Sequence, residues 1–243
     1  MTSDFEILPA IDLRGGRVVR LEQGDFGRET TFSDDPVAVA RAFADAGARW
    51  LHVVDLDGAR NGMPAHAYVI QAIVAAVGER VAVEVAGGLR TVDAVASVIA
   101  AGASRAVVGT LALADPEFAA RLVGTHGVKR VAVAIDVREG RAVGHGWAAA
   151  SAGVEAVHAI VTLAAVGVST FEVTAIDRDG LLGGPDLALY ERLVGLGQGS
   201  IIASGGIATV GDIAAVRAIG CSGAIIGRAF YDGRIDLSDA LSA

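Results

Sequence analysis

Ile11-Asp12-Leu13-Arg14-Gly15-Gly16-Arg17-Val18-Val19 returns 124 residues later as Ile135-Asp136-Val137-Arg138-Glu139-Gly140-Arg141-Ala142-Val143, with six of nine positions identical. Two further pairs follow in the same order. Ala86-Gly87-Gly88-Leu89-Arg90-Thr91-Val92 lies over Ser204-Gly205-Gly206-Ile207-Ala208-Thr209-Val210. Gly102-Ala103-Ser104-Arg105-Ala106-Val107-Val108-Gly109 lies over Gly220-Cys221-Ser222-Gly223-Ala224-Ile225-Ile226-Gly227, again at a common offset of 118 residues. Chance can produce one such match but hardly three in order, so the chain reads as two corresponding halves, about 1–124 and 125–243. No linker separates them, which predicts a single domain.

Around these anchors, short apolar runs alternate with Ala-rich stretches of helical period. Candidate strands are Glu6–Asp12, Trp50–Asp55, Val81–Val85, Ala106–Gly109, Arg130–Asp136, Thr170–Thr174, Ser200–Ser204 and Gly223–Ile226. Candidate helices are Pro36–Ala46, Ala65–Val77, Val92–Ala101, Pro116–Gly124, Val154–Val166, Asp186–Val194 and Val210–Ile219, with a short last one at Leu237–Leu241. Pro36, Pro64, Pro116 and Pro185 stand at or just before helix starts, where a fixed φ and a missing N–H cost least. The strands are continuously hydrophobic, as parallel strands buried on both faces are. Eight strands, each followed by a helix, predict an α/β fold of the (βα)8 TIM-barrel kind built from two half-barrels. An open doubly wound sheet is the alternative.

Composition narrows the function. Of 243 residues 53% are hydrophobic and 20% charged, a globular balance, and the length is enough for a core without staples. The net charge of −8 and the absence of any basic run argue against nucleic acid as a partner. One cysteine, Cys221, rules out intramolecular disulfides and Cys-based zinc clusters and fits a reducing compartment. The longest apolar stretch is too short to span a bilayer, and the N-terminus has no basic signal region. A cytoplasmic protein without a membrane partner is expected.

In this architecture the loops after the strands form the active face. Glycines collect there: Gly87-Gly88, Gly109-Thr110, Gly205-Gly206 and Gly227-Arg228. Gly-rich turns before helices expose backbone N–H groups to anions. Two such pairs related by the repeat predict two phosphate sites, hence a small-molecule substrate with a phosphate at each end. Carboxylates collect there too. Asp12 and Asp136 end the first and fifth strands, and Asp177 and Asp179 follow the sixth in Ile176-Asp177-Arg178-Asp179-Gly180. Carboxylates facing across a mouth can act as paired acid and base once burial separates their pKa values. Asp177, beside Arg178, reads as structural, and Asp55 and Asp57 have no repeat partner of matching chemistry. Trp147, in a Gly-rich loop, suits stacking on a flat heterocycle or simply covers the surface.

Other chemistries fall away. The only lysine, Lys129, begins the fifth strand at the wrong end of the barrel for Schiff-base work. No nucleotide-loop or nucleophile-elbow string occurs. The five histidines are scattered without a metal-binding string, and Glu155 with His158 reads as a solvated helix face. Cys221 reads as buried packing.

Leu8-Pro9-Ala10-Ile11-Asp12-Leu13, Gln23-Gly24-Asp25, Leu51-His52-Val53-Val54-Asp55-Leu56-Asp57-Gly58, Gly87-Gly88-Leu89-Arg90, Val108-Gly109-Thr110, Ile176-Asp177-Arg178-Asp179-Gly180 and Ile202-Ala203-Ser204-Gly205-Gly206 together resemble the ProFAR isomerase family of histidine biosynthesis. The likeness runs from Ile7 to near the C-terminus. It implies an intramolecular oxidoreductase of the aldose–ketose type, with no metal or cofactor. The reaction is an Amadori rearrangement of a phosphoribosyl aminoaldose (ProFAR) to a phosphoribulosyl aminoketose (PRFAR). By the family pattern Asp12 matches the base, and either Asp136 or Asp179 the acid. Thr174 matches a polar site residue and Arg20 a substrate-binding arginine on the first loop. Arg90, His145 and Trp147 join the glycines and Arg228 as expected substrate contacts.

Three positions depart from the family pattern: Ala175 where Asp is common, Ala86 where Gly or Ser is common, and His145 where Arg or Lys is common. The last two bear on substrate range. A bifunctional branch also isomerises phosphoribosyl anthranilate of tryptophan biosynthesis, and with His145 that second activity is expected to be weak or absent. The sister cyclase subunit of imidazole glycerol phosphate synthase shares the repeat, but it opens with Cys-Leu-Asp where this chain has Ala10-Ile11-Asp12 and needs a glutaminase partner. The expected enzyme is a monomer.

Overall fold

A computed structural model describes residues 5–144 and 153–243. Chain order begins with β1 (Glu6–Arg14), β2 (Arg17–Glu22), β3 (Asp25–Ser33), α1 (Pro36–Asp45), β4 (Trp50–Asp55), α2 (Leu56–Asn61), α3 (Ala67–Val77), β5 (Ala82–Ala86) and α4 (Val92–Ala100). Next come β6 (Arg105–Val108), α5 (Thr110–Ala114), α6 (Pro116–His126), β7 (Val131–Arg138), β8 (Arg141–Val143) and β9 (Val154–Glu155). The chain closes with α7 (Ala156–Ala165), β10 (Thr170–Ala175), α8 (Leu187–Val194), β11 (Ser200–Ser204), α9 (Val210–Ala218), β12 (Gly223–Ile226), α10 (Arg228–Tyr231) and α11 (Leu237–Ser242).

Eight of these strands run parallel in the cyclic order β1, β4, β5, β6, β7, β10, β11, β12, and pairing of β12 with β1 closes the ring. The expected (βα)8 barrel is therefore the fold. Register explains why the strands are largely apolar on both faces. Along β1, Ile7, Ile11 and Leu13 join the core between strands and helices, whereas Leu8 and Ala10 meet Ile202 and Ile225 inside the barrel. Alternate residues thus enter two different apolar spaces, and neither face meets water. Helix starts are fixed locally. Asp35 accepts from Ala38 N ahead of Pro36, and Thr209 forms a reciprocal capping box with Asp212. Among the described residues no helix is long and apolar enough to cross a membrane.

Several expected boundaries move, for identifiable reasons. The residues after Asp12 and Asp136 are β-hairpins rather than loops: β2 folds back on β1 and β8 on β7. α3 begins at Ala67, not Ala65, because the N–H groups of Ala65 and His66 both donate to Asp55 Oδ2. α7 begins at Ala156, not Val154, because Val154 and Glu155 pair with Ala142 and Arg141. Glu155 thus stands before the helix and pairs with Arg192 on the surface.

The glycine pairs do more than open the loops. Gly87 has φ +100° and Gly205 φ +97°, and a Cβ on Gly87 would lie 2.1 Å from the Asp55 carbonyl oxygen. The corresponding atom on Gly205 would lie 2.7 Å from the Ala175 carbonyl oxygen. Gly87→Ala therefore combines left-handed strain with a backbone clash, and is expected to cost roughly 3 kcal/mol in urea unfolding. A loss below about 1 kcal/mol would contradict the close approach.

Candidate active site

A cavity of about 530 Å³ opens at the C-terminal ends of the barrel strands. In the ring of eight, β1 lies opposite β7, and the β5–β6 edge lies opposite β11–β12. Asp12 from β1 and Asp136 from β7 thus face each other across the mouth, with Thr174 one strand from Asp136. Gly87, Gly88, Gly109 and Thr110 line one side, and Gly205, Gly206, Gly227 and Arg228 the opposite side. Gly109 and Gly227 share an unusual backbone, φ −124°, ψ −106° and φ −108°, ψ −95°, each directly before a short helix.

Asp179 follows a 3-10 turn (Ile176–Arg178) after β10 and enters the same cavity. Arg20, carried on β2, connects the carboxylates. Its Nη1 donates to Asp12 Oδ2 at 2.6 Å and its Nη2 lies 3.9 Å from Asp179 Oδ1. Its Nε is buried without a hydrogen-bond partner among the described residues. The guanidinium rests on Gly227, where a Cβ would sit 2.3 Å from Cζ. The cation is shared unequally. Burial pushes Asp179 up, Arg20 draws it down, and the charges of Asp12 and Asp136 raise it again, leaving it at about 6.

Arg228 lines the cavity but is tied down, donating to Asp232 Oδ2 at 3.0 Å and to the Gly180 carbonyl at 2.7 Å. Arg90 lies at the rim and donates to the Ala59 carbonyl at 3.0 Å. His145 and Trp147 lie outside the described residues. Asp177 accepts from Glu139 N at 3.3 Å, the structural role expected of it. Asp57 does have a repeat partner, contrary to expectation: it accepts from Gly15 N at 2.7 Å, and so braces the first hairpin as Asp177 braces the second. Asp55 is wholly buried and accepts from Gly58, Ala65 and His66 N–H groups, which makes it a cap.

The sequence reading missed an interior cluster. His52, dismissed there as one of five scattered histidines, meets Glu84 and Glu172 on the cavity floor, their potential ligand atoms within 4.8 Å of one another. Arg105 donates to Glu84 from below. The available signal was a lone charged residue at an inward position of an apolar strand, as in Leu51-His52-Val53 and Val83-Glu84-Val85. Phe26, from β3, also lines the cavity, with the guanidiniums of Arg14 and Arg60 at 5.0 and 5.2 Å from its ring.

A closed (βα)8 barrel with two opposed glycine-lined rims at its C-terminal mouth, and carboxylates sharing one arginine between them, has the arrangement of an enzyme site. The chain belongs to the histidine biosynthesis protein family, whose model matches residues 6–236. A relative from Thermomicrobium roseum is 48% identical over 94% of this chain and 93% of its own length. Relatives from Roseiflexus sp. and Moorella thermoacetica are 46% and 47% identical, covering 97% or more of both chains. All three carry the name 1-(5-phosphoribosyl)-5-((5-phosphoribosylamino)methylideneamino) imidazole-4-carboxamide isomerase.

Proposed function

We propose that the chain is the ProFAR isomerase of histidine biosynthesis, converting the aminoaldose ProFAR to the aminoketose PRFAR, with Asp12 as base and Asp179 as acid. The observation that carries this division is the unequal sharing of Arg20. Asp12 accepts from Arg20 Nη1 at 2.6 Å, a contact that orients its carboxyl group at the cavity. Asp179 is 3.9 Å from the same guanidinium and is pushed up to about 6, so it still carries its proton in slightly acidic solution and in a minor fraction at neutral pH.

The steps follow. Asp179 gives its proton to the ribose ring oxygen as the C1–O bond breaks, and the nitrogen lone pair forms a protonated imine at C1. Asp12 removes the C2 proton, and that electron pair moves to make the enolamine. Return of that proton from Asp12 to C1, with loss of the C2 hydroxyl proton, gives the ketone. Atoms and electrons balance, and the chain supplies both proton carriers. Asp136, opposite Asp12, takes a binding role, with Thr174 beside it.

The two phosphates are assigned to Gly87, Gly88, Gly109 and Thr110 at one end and to Gly205, Gly206, Gly227 and Arg228 at the other. Crystals grown in high sulfate are expected to hold an anion at each end. An anion at the second end alone would count against a bisphosphate substrate. The same reading takes the protein as a cytoplasmic monomer needing no cofactor. Conversion of ProFAR by the purified protein, in chelator and with no second protein, tests the assignment. Absence of turnover would reject it.

A further inference from the structure

Beneath the carboxylates lies a set of charges that the acid–base steps leave unused. Glu84 and Glu172 are 0% and 2% exposed, and each belongs to a strand whose neighbouring residues are apolar. Glu84 divides its oxygens: Oε1 accepts from His52 Nδ1 at 2.6 Å, and Oε2 accepts from Arg105 Nε at 2.7 Å and Nη2 at 2.5 Å. Arg105 also lies 4.2 Å from the Trp50 ring and 3.2 Å from Glu6. Glu172 Oε2 is 3.6 Å from His52 Nδ1, and its Oε1 is buried without a partner among the described residues.

Such a cluster is a poor stability device, since apolar residues of like volume commonly do as well or better. Its geometry has a direction instead. His52 lines the substrate cavity, and with Nδ1 committed to Glu84 the ring has Nε2 to offer there. We propose that Glu84, clamped by Arg105, is a positioning residue that presents the His52 imidazolium as a fixed Nε2–H donor to an oxygen of the sugar at the reacting end of the substrate. The ligand is taken from the function proposed above, on which this inference rests.

The charges agree with the geometry. The groups facing the ring are Glu84 from β5, Glu172 from β10 and Asp12 from β1, with Arg105 from β6 behind Glu84. Burial drives His52 down, but Glu172, the hydrogen bond and charge of Glu84, and Asp12 together raise it to about 9. Burial also raises Glu84, yet His52 and Arg105 bring it below its ordinary value. Glu172 is pushed well up by burial and by the neighbouring charge of Glu84. Glu84 therefore sits between the His52 ring and the Arg105 guanidinium, which together fix its carboxylate.

The test is a pH titration of histidine-labelled protein by nitrogen NMR, alone and with saturating PRFAR, using His52→Gln to assign the signal. The expected wild-type ring is doubly protonated at neutral pH, titrates near 9, and shifts at Nε2 when PRFAR binds. In Glu84→Gln the ring is expected to titrate at least about one unit lower. Its kcat falls about 10- to 100-fold, as when the partner orienting a functional histidine is lost, with KM changed less. Glu84→Asp recovers part of both. A neutral wild-type His52 at pH 7, an Nε2 signal indifferent to PRFAR, or unchanged kcat in Glu84→Gln overturns the proposal. Should Glu84→Gln fail to fold, His52→Gln decides, because it keeps the Glu84–Arg105 pair: a kcat loss of about tenfold or more with PRFAR still bound supports the role, and unchanged kcat refutes it. If wild type does not turn over ProFAR at all, the parent assignment fails instead, and that outcome is distinct from full turnover by Glu84→Gln.

Discussion

Asp12→Asn is expected to bind ProFAR and leave it nearly unconverted. The substitution keeps shape and an oxygen for Arg20, but it removes the lone pair that must take the C2 proton. Loss of a positioned general base costs about 10²- to 10⁴-fold, or roughly 3–5 kcal/mol of barrier. Because Asp12 ends a barrel strand already fixed by parallel pairing to β4 and β12, the fold should survive, and thermal unfolding should show it. A variant whose kcat stays within tenfold of wild type would remove Asp12 from the base role.

Asp179→Asn carries the second large effect, and it adds a pH signature. The wild-type carboxyl sits at about 6 against an ordinary 3.8, so its protonated form is favoured by folding. For activity, the donor is lost as pH rises through about 6, which gives kcat/KM a falling alkaline limb. The asparagine variant should lose kcat by about 10²-fold or more and lose that limb with it. For stability the sign is opposite to that of a salt-bridged carboxylate. A raised folded pKa means that ionisation opposes folding, so the penalty grows from pH 3.8 to about 6 and is complete above that. At about 1.4 kcal/mol per unit it is on the order of 3 kcal/mol for this buried group, and Asp179→Asn should be more stable than wild type at high pH only. A flat stability difference between acid and alkaline pH would place the Asp179 shift elsewhere.

Much of this was legible in the sequence because it is written in local chemistry. Asp12 and Asp136 repeat within identical surroundings, and Gly87-Gly88 and Gly205-Gly206 sit where only glycine meets both the φ and the neighbouring carbonyl. The hairpins after β1 and β7 also left a trace. Gly15-Gly16, Gln23-Gly24 and Glu139-Gly140 all take consecutive positive φ values, the tight-turn pattern that Gly-Gly and X-Gly dipeptides permit. What concealed the strands was composition, since β3 is half-exposed and rich in Thr and charge. The choice between Asp136 and Asp179 was not legible. It depends on burial and on which carboxylate Arg20 reaches, and both are set by a hairpin folding back over the mouth. The interior cluster was hidden for a similar reason: His52, Glu84, Arg105 and Glu172 come from four strands, and no spacing along the chain joins them.

The division of labour between the two carboxylates can be read by exchange at a single carbon. PRFAR incubated with enzyme in D2O meets the base without any ring opening, so the C1 hydrogen exchanges through the enolamine alone. Wild type and Asp179→Asn are both expected to replace one C1 hydrogen with deuterium, seen by proton NMR, while only wild type equilibrates PRFAR with ProFAR. Asp12→Asn should do neither. Exchange by Asp12→Asn at the wild-type rate would contradict the assignment of the proton transfer to Asp12.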